Sequence, residues 1–90
     1  MKDSPQRKYV LRAKYGMSLA EYEDTLTAQE YRCAICYVHI VELTQYLHVD
    51  HDHITGKVRG LLCGNCNMGI GQLKNIDNLV AAIAYLEKSA

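Results

Sequence analysis

Two CxxC pairs, Cys33-Ala-Ile-Cys36 and Cys63-Gly-Asn-Cys66, stand 26 residues apart in a chain of 90. They constrain the fold more than any other feature. A domain this short buries little apolar surface, and a metal or disulfide staple commonly makes up the deficit. A CxxC turn brings two thiolates to one ion from neighbouring backbone positions, so two such turns describe a tetrahedral four-sulfur zinc site with Cys33, Cys36, Cys63 and Cys66 as ligands. Free core thiols and disulfides are the alternatives. No stretch resembles a secretory signal or a membrane span, so a reducing cytoplasm is expected, where thiolates bind metal more readily than they pair. A closed four-thiolate site leaves no position for substrate. Its expected role is structural.

The rest of the chain reads as one α+β domain. A short helix is expected over residues 6–15, ended by Gly16. Ser18-Leu-Ala-Glu21 is a capping box that opens a second helix through about Leu26, and Thr27-Ala-Gln-Glu30 repeats the signature for one further turn. Residues 38–45 read as a loop with a little strand. Residues 46–50 look extended, Thr55-Gly56 marks a turn and residues 57–62 resume a β-rich pattern, so a hairpin is expected. A helix should follow Cys63 and carry Asn67, Met68 and Leu73, with Met68, Ile70 and Leu73 as core. A last helix should start near Asp77 and bury Leu79, Val80, Ile83 and Leu86. The expected organisation is a helical lead-in over residues 1–32, a zinc-braced core over 33–74 and a C-terminal helix over 75–90.

Between the cysteine pairs lies His48-Val-Asp-His-Asp-His53, a concentration of acid and imidazole that the zinc site does not use. Along a strand Asp50 and Asp52 would share one face and His51 and His53 the other, unless a bend at the strand end lets Asp50 and His51 converge. Magnesium takes oxygen ligands, needs few from protein and keeps places for water and phosphate. Asp50 can be one ligand, and Asn67, directly after the last cysteine, can add an amide oxygen. A neutral imidazole beside such an ion can take a proton from water, and His51 is the candidate base. The implied reaction is metal-assisted phosphodiester hydrolysis. Each residue alone has an ordinary reading: a strand-end carboxylate, a turn amide, a surface imidazole. Their conjunction points to a second site. His39 and His48 have no defined partner and read as structural or exposed. Asp52 reads as orienting an imidazole or as solvated.

Formal charge is zero, with ten Lys and Arg against ten Asp and Glu, so overall charge does not point to nucleic acid. The distribution is less even. Lys2, Arg7, Lys8, Arg12 and Lys14 face only Asp3 in the first fifteen residues. Arg7, Lys8, Arg12 and Lys14, with Lys57 and Arg59 on the second hairpin arm, are candidate contacts to DNA phosphates. Solvated surface accounts for them nearly as well, and Tyr9 and Tyr15 read as packing residues or as contacts to sugar or base.

The segment "VDHDHITGKVRGLLCGNCN", with the upstream CxxC, resembles the recombination endonuclease VII family of phages, within the HNH or His-Me finger nucleases. The density of matching residues is highest from Cys33 to about Leu73, and "RKYVLRAKYGMSLAEYE" resembles the helical lead-in of short members. The resemblance implies a ββα-metal core braced by zinc, with Asp50 and Asn67 holding magnesium or manganese, His51 as general base and His53 as an additional active-site residue. It also implies DNA as substrate, four-way junctions in particular, a homodimer, and a phage-encoded enzyme acting in the cytoplasm of a bacterial host without a membrane partner. The alternatives are an HNH-type enzyme that nicks or cuts duplex DNA for packaging or mobility, and a non-catalytic zinc module that binds nucleic acid. Two features depart from the namesake: Ile70 stands where it carries an acidic residue, and its chain continues through a longer C-terminal region.

Overall fold

A computed structural model describes Leu11 and residues 15–89. Among the expectations above, the basic residues Lys2, Arg7, Lys8, Arg12 and Lys14 lie outside the described residues, as does most of the 6–15 helix; Leu11 and Tyr15 are helical, and Leu11 is buried.

Helix α1, Leu19–Ala28, begins as its sequence dictates. Ser18 Oγ accepts from the Glu21 amide at 3.0 Å, and the Glu21 carboxylate accepts from the Ser18 amide at 2.9 Å. Two of the unpaired amides of the first turn are thereby satisfied. The helix turns Tyr22 and Leu26 inward, and the buried Tyr22 hydroxyl donates to the Leu47 carbonyl at 2.7 Å. The second signature is followed by a turn, with the Glu30 amide on the Thr27 carbonyl at 2.9 Å, but its hydroxyl caps nothing. Thr27 instead donates its hydroxyl to the Glu23 carbonyl at 2.9 Å, so it serves the helix already running. Glu30 and Tyr31 then take left-handed backbone, φ 57° and 62°, and the Tyr31 amide closes on the Leu26 carbonyl at 2.9 Å. This left-handed exit turns the chain toward the first CxxC pair.

The first knuckle is pinned by the Cys33 amide on the Val38 carbonyl at 3.0 Å and by a bridge between Arg32 and His39. A single 3-10 turn, Ile40–Glu42, follows, with His39 Nδ1 accepting from the Val41 amide at 3.1 Å. His39 is thus a structural cap, as its lack of a partner in the sequence implied.

Strands β1, His48–His51, and β2, Val58–Leu62, form the expected antiparallel hairpin. Asp50 pairs with Gly60 but His51 pairs with Val58, which leaves Arg59 as an extra residue, a bulge. The connecting turn is held by Asp52, whose carboxylate accepts from the amides of Ile54 at 2.8 Å and Thr55 at 3.0 Å. Those amides hold the Asp52 carboxyl below its ordinary range, Thr55 contributing most. The Asp52 side chain is therefore committed to the turn.

Helices α2, Gly64–Leu73, and α3, Ile76–Glu87, complete the chain. The N-cap of α3 is Asn75, whose side chain accepts from the Asn78 amide at 2.8 Å, so the helix starts ahead of the expected cap at Asp77, and Asp77 lies in its first turn. Of the α3 residues expected to be buried, Leu79 is half-buried and the other three are exposed. Val80, Ile83 and Leu86 are 58, 57 and 64% exposed, because α3 meets α2 over a short contact and, among the described residues, no other layer covers its apolar face. Met68 and Leu73 on α2 are likewise exposed rather than core, while Ile70 packs against the core edge.

The core gathers Leu11, Met17, Tyr22, Leu26, Leu47, Val49, Leu61 and Leu62 around Cys33 and Cys63. One polar clamp crosses it. The Gln29 side chain donates to the carbonyls of Arg32 at 2.8 Å and Leu61 at 3.0 Å, and accepts from the Leu61 amide at 2.9 Å. A side-chain amide thus pairs with the edge of β2 as another strand would. Gly60 lets it approach, since a Cβ there would sit 3.2 Å from Gln29 Oε1. Gln29→Ala leaves the buried Leu61 amide unpaired and should cost about 1–3 kcal/mol, read as a lower urea midpoint at unchanged slope. Gln29→Glu, which sets a carboxylate oxygen against the Arg32 and Leu61 carbonyls, should cost at least as much.

Candidate active site and metal centre

The hairpin, the knuckle and the start of α2 meet at the cysteines. One sulfur from each of Cys33, Cys36, Cys63 and Cys66 lies within 4.8 Å of every other, and Cys36 Sγ is 3.7 Å from Cys63 Sγ. A disulfide needs a sulfur separation of about 2.05 Å, whereas tetrahedral zinc with bonds of about 2.3 Å sets its sulfurs about 3.8 Å apart. The cluster is able to hold a metal ion, and its spacing and donor chemistry fit zinc. Burial opposes ionisation of Cys33, but the backbone amides of Cys63, Cys36 and Ile35 outweigh it and bring this thiol down to about 6. Burial and then the neighbouring sulfurs push Cys66 up to about 12. Four thiolates at this spacing repel one another unless a cation sits among them. Such a site ties the knuckle to α2 at Cys66, and Asn67 is the next residue.

A second concavity, an open cleft of about 450 Å³, lies between the hairpin and α2. Asp50, His51, His53 and Asn67, the four residues expected to carry the chemistry, all line it, together with Arg59. Neighbours along a regular strand alternate faces, yet Asp50 and His51 both line this cleft, at the strand end where the ladder slips past Arg59. The His51 ring is 4.9 Å from that of His53 and 5.3 Å from that of Tyr15, both tilted, so aromatic faces flank the imidazole on two sides. Tyr15 therefore has its place against His51.

Arg59 donates from Nε and Nη2 to the two oxygens of Asp50 at 2.8 and 2.9 Å. The Asp50 side chain is 13% exposed and that of Arg59 49%. Asp50, hydrogen-bonded first and charge-paired second, raises the Arg59 pKa further above its ordinary value. The guanidinium expected on DNA phosphate thus faces a carboxylate. Lys57 is exposed and does not line the cleft. His48 is exposed beside Gly64, away from the cleft.

For a hard cation the protein donors are few, one carboxylate and one amide oxygen. That suits magnesium, which retains most of its water. Among the described residues, the four cysteines are the cluster of three or more His, Cys, Asp or Glu side chains close enough to share an ion. The cleft could hold a second cation only with solvent completing the shell.

Lys74 was not anticipated. It lines the cleft from the end of α2, with Asn67, Ile70 and Gly71. The signal was available: these positions are i, i+3, i+4 and i+7, one stripe of a helix. Ile70 gives this wall an apolar surface, and α2 supplies no carboxylate there.

A four-cysteine brace, a bulged hairpin and a helix enclosing a cleft of acid, imidazole and amide define a small α+β protein of the ββα type. The family model for recombination endonuclease VII matches residues 8–88, and the chain belongs to that family. It is 45% identical to the Gene 59 protein of Mycobacterium phage D29 over 78 residues, which cover 84% of this chain and 47% of that protein. It is 47% identical to the Gene 59 protein of Mycobacterium phage L5 over 55 residues, 61% of this chain and 33% of that protein. The chain thus spans less than half the length of these relatives. No solved structure matches it. Among the described residues, no helix is long and apolar enough to cross a membrane.

Proposed function

We propose that the chain is a metal-dependent DNA endonuclease that hydrolyses phosphodiesters, with branched DNA such as four-way junctions as its preferred substrate and the cytoplasm of a phage-infected bacterium as its place of action. The observation that carries this reading is the convergence of Asp50, His51 and Asn67 on one cleft beside the four-cysteine brace. Cys33, Cys36, Cys63 and Cys66 would hold zinc, which when bound would fix α2 against the hairpin. Asp50 and Asn67 would hold magnesium or manganese, which when bound stabilises negative charge on the phosphate and on the departing oxygen.

His51 takes a proton from water as the water oxygen attacks phosphorus, and the bond from phosphorus to the departing oxygen breaks. His53, in ring contact with His51, is positioned to contact the phosphate or to protonate that oxygen. Tyr15 limits the rotation of His51. Lys74 and Arg59 attract the phosphates on either side of the scissile bond.

Symmetric incision of a junction takes two such clefts, and the reading includes a homodimer. Val80, Ile83 and Leu86 form a stripe on α3 that is exposed among the described residues and suited to a second copy of itself.

The test uses supercoiled plasmid and a synthetic four-way junction, each with magnesium or with chelator. The expected result is magnesium-dependent cutting, faster on the junction and in paired incisions. With Ile83→Glu, single nicks should persist while paired incision is lost and the mass in solution halves. Plasmid cleaved as fast as the junction favours the duplex-cutting relative of this reading; DNA bound and never cut sinks the enzyme.

A further inference from the structure

We propose that Arg59 is a built-in counter-cation for Asp50. It occupies the carboxylate when no divalent ion is bound, must leave for the ion to enter, and is thereby released toward a substrate phosphate. This rests on the reading of Asp50 as a metal ligand. Three observations carry it. Arg59 is the bulge residue, unpaired in the ladder and next to Gly60, the residue opposite Asp50. Its two donors engage both carboxylate oxygens, at 2.8 and 2.9 Å, along the fork a divalent ion would need to break. The exposures are unequal, 49% for the Arg59 side chain and 13% for Asp50, so the guanidinium reaches solvent while the carboxylate is walled in.

A guanidinium matches a phosphate as well as it matches a carboxylate. The cleft therefore allows an exchange of partners, in which the cation goes to Asp50 and the phosphodiester to Arg59. Each event removes the obstacle to the other. By linkage, divalent ion and DNA then raise one another's affinity, and the empty site has a neutral pair in place of a bare carboxylate.

The experiment measures Mn²⁺ binding to the zinc-loaded chain by the electron paramagnetic resonance of free Mn²⁺, with zinc content and circular dichroism confirming that each variant is folded. If the pair closes the site most of the time, Arg59→Ala should bind Mn²⁺ roughly five- to tenfold more tightly than the unaltered chain. Arg59→Lys, which has no fork, should fall between them. A Mg²⁺ titration should move the Arg59 Nε–H resonance, and a short DNA duplex should raise Mn²⁺ affinity in the unaltered chain by more than in Arg59→Ala. Equal or weaker Mn²⁺ binding by Arg59→Ala, with binding lost in Asp50→Asn, overturns the exchange and leaves Asp50 as a ligand. Unchanged binding by Asp50→Asn removes the ligand assignment itself.

Discussion

Stripping the ion from the four cysteines is expected to unfold the whole chain, not merely to slow it. A domain of this size has a net stability of about 5–15 kcal/mol, while structural zinc in small domains contributes an apparent ~10–16 kcal/mol. The brace is therefore comparable to everything else combined. Its position argues the same way: Cys33 and Cys63 belong to the buried cluster, in contact with the residues that join α1 to the hairpin. Each thiolate left without the ion would also stand among three others. Excess chelator should abolish the cooperative thermal transition and much of the far-ultraviolet dichroism, and equimolar zinc should restore both. Cys33→Ser should behave as the chelated protein does, with metal analysis falling from one zinc per chain to a small fraction. A zinc-free sample that melts cooperatively at an unchanged temperature would remove the brace from the account of this fold.

His51→Ala should lower the rate of DNA cleavage by about 10²–10⁴-fold, the range a positioned general base contributes. DNA binding and zinc content should hardly change, because His51 lies at the cleft and caps no buried group of the core. Imidazole added to His51→Ala should return part of the rate if proton transfer is the role lost. A loss of the same size in Tyr15→Ala would assign the effect to packing around the ring, since Tyr15 contacts His51 directly. Tyr15→Phe keeps that face and should retain most activity.

The parts of this fold that were legible in the sequence are those decided by local chemistry. The capping box of α1 needs only Ser18 and Glu21, and the hairpin needs only its β-rich arms and the Thr55-Gly56 turn. The cysteines announced their own proximity through spacing. What was not legible depends on contacts between distant segments. Gln29 reads as an ordinary polar residue at a helix end, and nothing local says that its amide meets Leu61, 32 residues away. The periodicity of α3 correctly gave a helix with an apolar face, but periodicity does not state what covers that face. Among the described residues nothing does. Arg59 was read through the charge it shares with other surface cations; its commitment to Asp50 follows from the ladder irregularity, which side-chain identity does not encode. The four residues expected at the cleft do meet there, because Asp50, His51 and His53 are near neighbours and Asn67 directly follows Cys66 of the four-cysteine cluster.

The single unpaired residue in β2 has a consequence for engineering. A designer transplanting this hairpin into another scaffold would be tempted to tidy it, since regular two-stranded ribbons are easier to specify. Tidying would return Arg59 to the ladder and change the strand end at which the acid and the imidazole line one cleft. Any graft must carry the irregularity with it, together with a helix docked closely enough to present the amide; of the whole motif, the imperfection in the ladder is the part least open to exchange.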